Sequence, residues 1–130
     1  MHRKSKAAFS LLIAWGLMPL MSVAEVRESY KCKMKPGVTR QQIATTGKAF
    51  IEVGRAKGHT DWQLSVLYPM FDSDVSRGTF YWNGTSPTMA ALEEWISIWE
   101  SPANSEAQKM WLEYVEDCGS ASLYTAAPVN

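Results

Sequence analysis

The stretches Trp62–Phe71 (WQLSVLYPMF) and Gly78–Asn83 (GTFYWN) decide the fold of this 130-residue chain. Both are rich in aromatic and β-branched residues, which favour β-strands. The residues between them, 72–77 (DSDVSR), are polar and typical of a loop. The pattern therefore predicts two strands joined by a loop of about six residues.

Large side chains occur on both faces of this predicted hairpin. On the first strand one face carries residues 62, 64, 66, 68 and 70, and the opposite face carries Leu67 and Phe71. On the second strand one face carries Phe80 and Trp82, and the opposite face carries Tyr81. Helices can cover only one face, so the other face needs a second cover. Pro69 cannot donate to a strand ladder, which predicts that the first strand lies at the sheet edge or is bulged there.

A strand and a helix are predicted before the hairpin. Residues 28–34 alternate as a half-buried strand, with Tyr30, Cys32 and Met34 on one side. Thr39 and Gln42 have the spacing of a capping box at a helix start. The buried face of that helix includes two glycines that would allow a neighbour to approach closely: Ile43, Gly47, Phe50, Ile51 and Gly54.

Two helices and a strand are predicted after the hairpin. Ser86 is the expected N-cap of the first helix, with Pro87 at its first position. Its expected apolar face is Met89, Leu92, Trp95, Ile96 and Trp99, and Pro102 ends it. A shorter helix follows and ends at residues 117–119, before a last strand at 121–126.

This order predicts an α+β class, a ferredoxin-like β-α-β-β-α(α)-β fold with an antiparallel sheet. Within it, the right-handed rule for crossovers is taken to place the first and third strands side by side and parallel. The fourth strand is expected antiparallel to the first.

Cys32 and Cys118 are the two cysteines of the chain. Cys32 lies late in the first strand and Cys118 just before the fourth, so an antiparallel pairing would bring them together. Two cysteines in an exported protein most often form a disulfide, which here would close a loop of roughly 87 residues and contribute about 4 to 5 kcal/mol. The alternative is two buried free thiols.

Residues 1–24 have the pattern of a secretory signal peptide. A basic start precedes an apolar run and the small residues Ser22 and Ala24, so cleavage is expected after Ala24. A membrane anchor is the alternative, but the run of about fifteen apolar residues is short of the roughly twenty that span a bilayer. The sequence thus predicts one domain at 25–130, exported to the periplasm or outside the cell.

The exported chain would keep ten basic and thirteen acidic residues, because three of the thirteen basic residues lie within 1–24. A mildly acidic chain without a basic stripe is a poor partner for nucleic acid. No apolar stretch long enough for a membrane remains after cleavage.

The residues with chemical potential are few. His59, in a turn beside Asp61, is the only histidine of the exported chain. It could act as a base with Asp61, but a histidine in such a turn is more often simply a solvated loop residue. The predicted helices after the hairpin carry no histidine to bind a haem iron, so no cofactor is expected. Asp72 and Asp74 lack the further ligands that calcium needs, so no metal is expected either.

The density of aromatic residues has two interpretations. These residues fit ordinary core packing, and they also fit a flat pocket between helices and sheet for an apolar or aromatic molecule. They are Trp82, Trp95, Trp99, Trp111, Tyr68, Tyr81 and Tyr114. Tyr81 and Asn83 share a strand face and are the polar groups expected to line such a pocket. The predicted pocket residues are therefore His59, Tyr68, Tyr81, Asn83, Trp95 and Trp99.

Two motifs resemble those of dimeric α+β barrel proteins. Residues 34–39 (MKPGVT) end a predicted strand and begin a helix, and residues 99–107 (WESPANSEA) separate the two predicted C-terminal helices. The resemblance implies two sheets paired face to face in a homodimer, which would cover Leu67, Phe71 and either Tyr81 or the Phe80 and Trp82 pair. Members of the family include cofactor-free monooxygenases, small isomerases, haem-degrading enzymes and exported proteins of unknown role.

Three functions remain open from the sequence. The first is an exported homodimer that binds a small apolar or aromatic ligand. The second is a cofactor-free monooxygenase or isomerase that uses Tyr81, Asn83 and His59. The third is a structural or interaction module. A paired acid and base in one pocket would favour the second, and the sequence pattern alone does not reveal one.

Overall fold

The computed structural model describes residues 25–70 and 77–127. The predicted signal peptide and the loop residues Phe71, Asp72 and Asp74 lie outside the described residues. Among the described helices, none is both long and apolar enough to cross a membrane.

The described elements follow the predicted order of strands and helices. They are β1 (Glu25–Met34), α1 (Arg40–Ala56), β2 (Gln63–Leu67), β3 (Thr79–Ser86), α2 (Met89–Trp99), a 3-10 turn (Pro102–Asn104), α3 (Ser105–Tyr114) and β4 (Val115–Ala126). The ferredoxin-like α+β prediction is confirmed.

The sheet has the strand order β2-β3-β1-β4, and every neighbouring pair is antiparallel. The prediction that β1 and β3 are parallel was wrong. The crossover through α1 returns β2 in the direction of β1, and the hairpin then reverses β3, so β3 must run against β1. The antiparallel pairing of β4 with β1 and the edge position of β2 are confirmed.

The start and the buried face of α1 are as the sequence predicted. The Thr39 hydroxyl accepts a hydrogen bond from the Gln42 amide, and the Gln42 side chain accepts from the Thr39 amide. Gly54 is needed for close packing, since a Cβ there would lie 2.7 Å from the Trp62 ring. At Gly47 a Cβ would lie 2.8 Å from Leu64.

The start of α2 differs from the prediction. Ser86 is the buried last residue of β3, opposite Val26, and does not cap the helix. Thr88 is the N-cap, and its hydroxyl accepts from the Ala91 amide at 3.1 Å. Pairing with β1 extends β3 through the residues that resemble a turn in isolation.

The predicted apolar face of α2 is partly wrong. Leu92, Trp95 and Ile98 are buried, whereas Met89 and Ile96 are 48% and 44% exposed. The burial of the large Trp95 ring fixes the helix rotation, and residues three positions before and after it share its face.

The last strand is longer than predicted and begins earlier. α3 ends at Tyr114, and β4 runs antiparallel to β1 from Val115, so residues 117–119 lie in a strand and do not end a helix. The Tyr114 carbonyl accepts from the Lys35 amide, which satisfies one carbonyl at the end of α3. Almost every residue of β4 is exposed.

The disulfide prediction is confirmed. Cys32 and Cys118 are directly opposite in the β1–β4 ladder and are joined by a disulfide, with their Cα atoms 4.0 Å apart. Cys118 lies inside the fourth strand and not just before it. The bond ties the edge strand β4 to the centre of the sheet.

The two faces of the sheet differ in polarity. Phe80 and Trp82 face the helices and are buried with Phe50 and Ile43. Among the described residues, the other face does not carry the contiguous apolar surface that was expected. Its central rows are mostly polar: Gln63, Ser65, Asn83, Thr85, Arg27, Ser29 and Ser122. The expected apolar residues on it are Tyr81 and the 51% exposed Leu67.

Candidate ligand-binding site

A cavity of about 290 Å³ lies between the sheet and the two C-terminal helices. We call it the tryptophan cavity. It is lined by Glu28 and Tyr30 of β1, Trp82 of β3, Trp95, Ile96, Trp99 and Glu100 of α2 and its C-cap, Trp111 of α3 and Cys118 of β4.

Three indole rings of the cavity lie nearly perpendicular to one another. The ring centroids of Trp82 and Trp111 are 4.8 Å apart with an interplanar angle of 80°. Trp99 and Trp111 are 5.3 Å apart at 82°, and Trp82 and Trp99 are 6.1 Å apart at 67°. Each ring comes from a different element, so the tertiary fold builds this corner of aromatic walls.

Phe50 of α1 supports these walls from behind. Its ring centroid lies 4.6 Å from that of Trp95 and 5.0 Å from that of Trp99, both in edge-to-face contact. Phe50 is fully buried, so the rings it contacts have little freedom to move. The cavity is therefore largely formed before any ligand arrives.

A buried carboxylate lies in the cavity. Glu28 is only 6% exposed, and its Oε2 accepts a hydrogen bond from the Tyr30 hydroxyl at 3.2 Å. The Trp95 indole N–H also donates to it. Gly84, opposite Glu28 in the β1–β3 ladder, leaves the necessary room, because a Cβ there would lie 3.0 Å from both Glu28 Oε1 and the Trp95 ring.

Burial changes the acid–base behaviour of this pair. Loss of solvation raises the pKa of Glu28 above its ordinary value, and the hydrogen bonds from Tyr30 and Trp95 oppose this only in part. Burial likewise raises the pKa of Tyr30, and the neighbouring charge of Glu28 raises it further. Tyr30 therefore remains a hydrogen-bond donor at neutral pH.

Glu28→Gln is expected to raise the thermal stability at neutral pH. The folded protein binds the Glu28 proton more tightly than the unfolded chain, whose pKa is near 4.5. The stability that this group contributes is complete below the unfolded pKa and is lost as the pH rises through the folded pKa. Glutamine resembles the protonated form, so the gain should shrink in acid.

Thermal unfolding followed by circular dichroism checks this expectation at neutral and acidic pH. Glu93→Gln, at an exposed position of α2, is the matched control and should change stability by less than about 0.5 kcal/mol at either pH. A lower melting temperature for Glu28→Gln at neutral pH would contradict the sign of the Glu28 shift.

Structural comparison identifies the fold. A protein described as an antibiotic biosynthesis monooxygenase from Chloroflexus aurantiacus superimposes with a TM-score of 0.53 at 10% identity, over 82% of this chain and 96% of that chain. A hydroxynitrile lyase from Passiflora edulis superimposes with a TM-score of 0.52 at 15% identity, over 83% of this chain and 98% of that chain. A hypothetical protein from Arabidopsis thaliana superimposes with a TM-score of 0.54 at 17% identity, over 85% of this chain and 96% of that chain.

The chain has a ferredoxin-like α+β fold, which it shares with these three proteins. The resemblance seen in the sequence is thereby confirmed for the fold. No family model matches the sequence, and a search of curated proteins found no match. At these identities the likeness concerns the fold alone.

The six predicted pocket residues do not lie together in the structure. Trp95 and Trp99 line the tryptophan cavity. Tyr81 and Asn83 lie on the opposite sheet face, where Asn83 Oδ1 accepts from the Ser29 hydroxyl at 2.6 Å, so they do not line a pocket between helices and sheet.

His59 and Tyr68 also lie away from the tryptophan cavity. The His59 ring stacks on Trp62 with centroids 4.1 Å apart, and its Nε2 is 2.6 Å from Glu94 Oε2, so its partner is Glu94 and not Asp61. Tyr68 borders a separate groove of about 500 Å³ between α1 and β2, with the Arg40 guanidinium 4.4 Å above its ring.

Glu28 and Tyr30 were not among the site residues predicted from the sequence. The available signal was the alternation of β1, since Glu28 is two residues before Tyr30 and therefore on the same buried face. A carboxylate on a buried strand face needs a partner or a function. Among the described residues, no group of three or more potential ligands from His, Cys, Asp and Glu is placed to hold a metal ion.

Proposed function

We propose that this is an exported protein that binds a small apolar or aromatic molecule in the tryptophan cavity. The supporting observation is a preformed cavity with four indole walls and one buried carboxylate, Glu28. A concave, mostly apolar site with a few converging polar groups is the usual form of a small-molecule site. Its volume is at the lower limit of such sites, which favours a ligand of about one ring.

The proposal of export has two supports. The Cys32–Cys118 disulfide is the kind of bond that persists in oxidising compartments. The pattern of residues 1–24 is that of a cleaved signal peptide. Protein purified from the exported fraction should begin at Glu25, and N-terminal sequencing or intact mass would test this.

Ligand binding is tested by titration with two single-ring probes, 4-tert-butylphenol and hydroquinone. We expect saturable quenching of tryptophan fluorescence by at least one of them. Trp111→Ala should weaken that binding roughly tenfold or more, because it removes one wall of the cavity. Leu112→Ala is the matched control, since Leu112 is the adjacent residue of α3 and is 73% exposed.

The outcomes separate binding from mere core packing. Saturation that is lost in Trp111→Ala but kept in Leu112→Ala supports the proposal, provided that circular dichroism shows both variants folded. Absence of saturation with every probe in the unmodified protein would overturn the proposal. The remaining interpretation would be a structural or interaction module.

Glu28 and Tyr30 give one reason to keep the enzymatic alternative. A carboxyl group with a raised pKa, hydrogen-bonded to a phenol inside an apolar cavity, can take and return a proton, as an isomerase or a cofactor-free monooxygenase requires. This role would fall to Glu28 and Tyr30, because Tyr81, Asn83 and His59 are outside the cavity. Oxygen uptake with quinols that is abolished by Glu28→Gln but kept in Tyr81→Phe would favour the enzyme.

We also propose a homodimer through the open sheet face. Leu67 is half exposed there, and the twelve-residue edge strand β4 is exposed along nearly its whole length, which soluble monomers usually avoid. A two-fold contact would cover both copies at once. Light scattering at micromolar concentration should give twice the monomer mass. Leu67→Asp should weaken the dimer and lower the measured mass. A monomer mass throughout would overturn this part.

A further inference from the structure

We infer that the ligand of the tryptophan cavity is an organic cation, a small molecule that carries a methylated ammonium group. This inference rests on the proposed function, because it names the chemical class that the same cavity would take. It follows from the arrangement of the indole rings together with the sign of the charges around them.

The indole geometry is the first support. An ammonium ion is attracted to the face of an aromatic ring, and tryptophan gives the strongest attraction. Trp82, Trp99 and Trp111 lie at 67° to 82° to one another, so an ion in the corner between them can meet more than one ring. Cages of this kind bind quaternary ammonium groups and methylated lysine in other proteins.

The charges are the second support. Glu28 lies in the cavity and Glu100 beside its wall, whereas none of the described residues that line it is a lysine, arginine or histidine. The last turn of α2 contributes Ile96 and Trp99, and that turn contains no basic residue. The carboxyl end of a helix carries partial negative charge, which also favours a cation.

The hydrogen bonds of Glu28 favour a methylated over a primary ammonium group. Tyr30 and Trp95 already donate to the carboxylate, so it is held in place without a donor from the ligand. A methylated ammonium ion donates few or no hydrogen bonds and interacts through its charge and its apolar methyl groups. Those two properties match a carboxylate beside indole faces.

Neutral and anionic ligands explain the site less well. A neutral aromatic molecule would gain from the indoles but would not need Glu28, whose burial is unfavourable when it is charged. An anion would meet two carboxylates, which repel it. The cation is the class for which the indoles and the carboxylates contribute together.

Three probes of the same size test the charge preference by calorimetry at neutral pH. They are (4-hydroxyphenyl)trimethylammonium, the neutral isostere 4-tert-butylphenol and the anion 4-hydroxybenzenesulfonate. We expect the cation to bind roughly tenfold more tightly than the neutral isostere, and the anion to bind weakest. Glu28→Gln should remove most of the advantage of the cation over the neutral isostere.

Two further variants complete the design. Glu100→Gln, at the exposed C-cap of α2, should reduce the advantage of the cation by a smaller factor, and its surface position makes misfolding no concern. Glu93→Gln changes an exposed glutamate in the first half of the same helix. It is the control and should leave all three affinities unchanged.

The outcomes distinguish this inference from the proposed function. Equal binding of the cation and 4-tert-butylphenol would overturn the inference and leave the cavity as a site for neutral aromatic molecules. A cation preference that survives both Glu28→Gln and Glu100→Gln would also overturn it. If none of the three probes binds and the single-ring panel fails as well, the proposed function falls with it.

Discussion

Loss of the Cys32–Cys118 disulfide is expected to lower the free energy of unfolding by about 4 to 5 kcal/mol. The two cysteines are 86 positions apart, so the bond removes much conformational freedom from the unfolded chain. It also fixes the exposed edge strand β4 to β1. A loss of this size would lower the melting temperature of a domain of about 100 residues by on the order of 20 °C.

Urea denaturation of the double variant Cys32→Ala/Cys118→Ala measures this loss. Wild-type protein under reducing conditions is the control, since it keeps both sulfur atoms and lacks only the bond. The two should agree to within about 1 kcal/mol, the difference reflecting the deleted sulfur of the buried Cys32. A loss below about 1 kcal/mol in both would contradict the structural role of the bond.

Phe50→Ala is the second substitution with a large expected effect, a loss of about 3 to 5 kcal/mol. Phe50 is fully buried, and its ring contacts Trp62, Trp95 and Trp99. Its removal leaves a void that rigid indoles cannot refill, so both the transfer energy and the cavity energy are lost.

Chemical denaturation followed by tryptophan fluorescence measures the effect of Phe50→Ala. Leu112→Ala removes an apolar side chain that is 73% exposed on α3, and it should change the stability by less than about 0.5 kcal/mol. Equal losses in the two variants would show that the core is not centred on Phe50.

The features that the sequence predicted well depend on neighbouring residues. The capping box of Thr39 and Gln42 and the alternation of Tyr30, Cys32 and Met34 are set by spacing within a few residues. The disulfide was also predictable, because the order of the elements alone makes β4 antiparallel to β1. The first two features need no knowledge of the rest of the fold, and the disulfide needs only the order of the elements.

The features that were wrong depend on distant partners. Ser86 resembles an N-cap until β1 supplies Val26 as its ladder partner, and residues 117–119 resemble a helix end until β1 pairs with them. The parallel placement of β1 and β3 was an error of chain direction. The hairpin between β2 and β3 reverses the chain, which the element order already implies.

The site shows the same division. Trp95 and Trp99 were pocket candidates because of the density of aromatic residues, although their helical spacing fitted core packing as well, and both line the tryptophan cavity. Tyr81 and Asn83 alternate with Trp82, so once Trp82 faces the helices they must face away. The sequence did not reveal which face the helices cover. Glu28 was missed because a lone carboxylate at a strand start resembles a solvated residue.

The indole N–H signals in a ¹⁵N–¹H NMR titration with (4-hydroxyphenyl)trimethylammonium report directly whether the tryptophan cavity binds this cation. Five tryptophans follow Ala24, and four of them, all except Trp62, line the cavity. We expect saturable shifts of the four cavity signals, with a large one for Trp95, whose N–H donates to Glu28, and the smallest shift for Trp62. If the indole signals stay unchanged up to millimolar probe, or only backbone amides of Ser29 and Asn83 on the open sheet face respond, the tryptophan cavity is not the binding site of this cation.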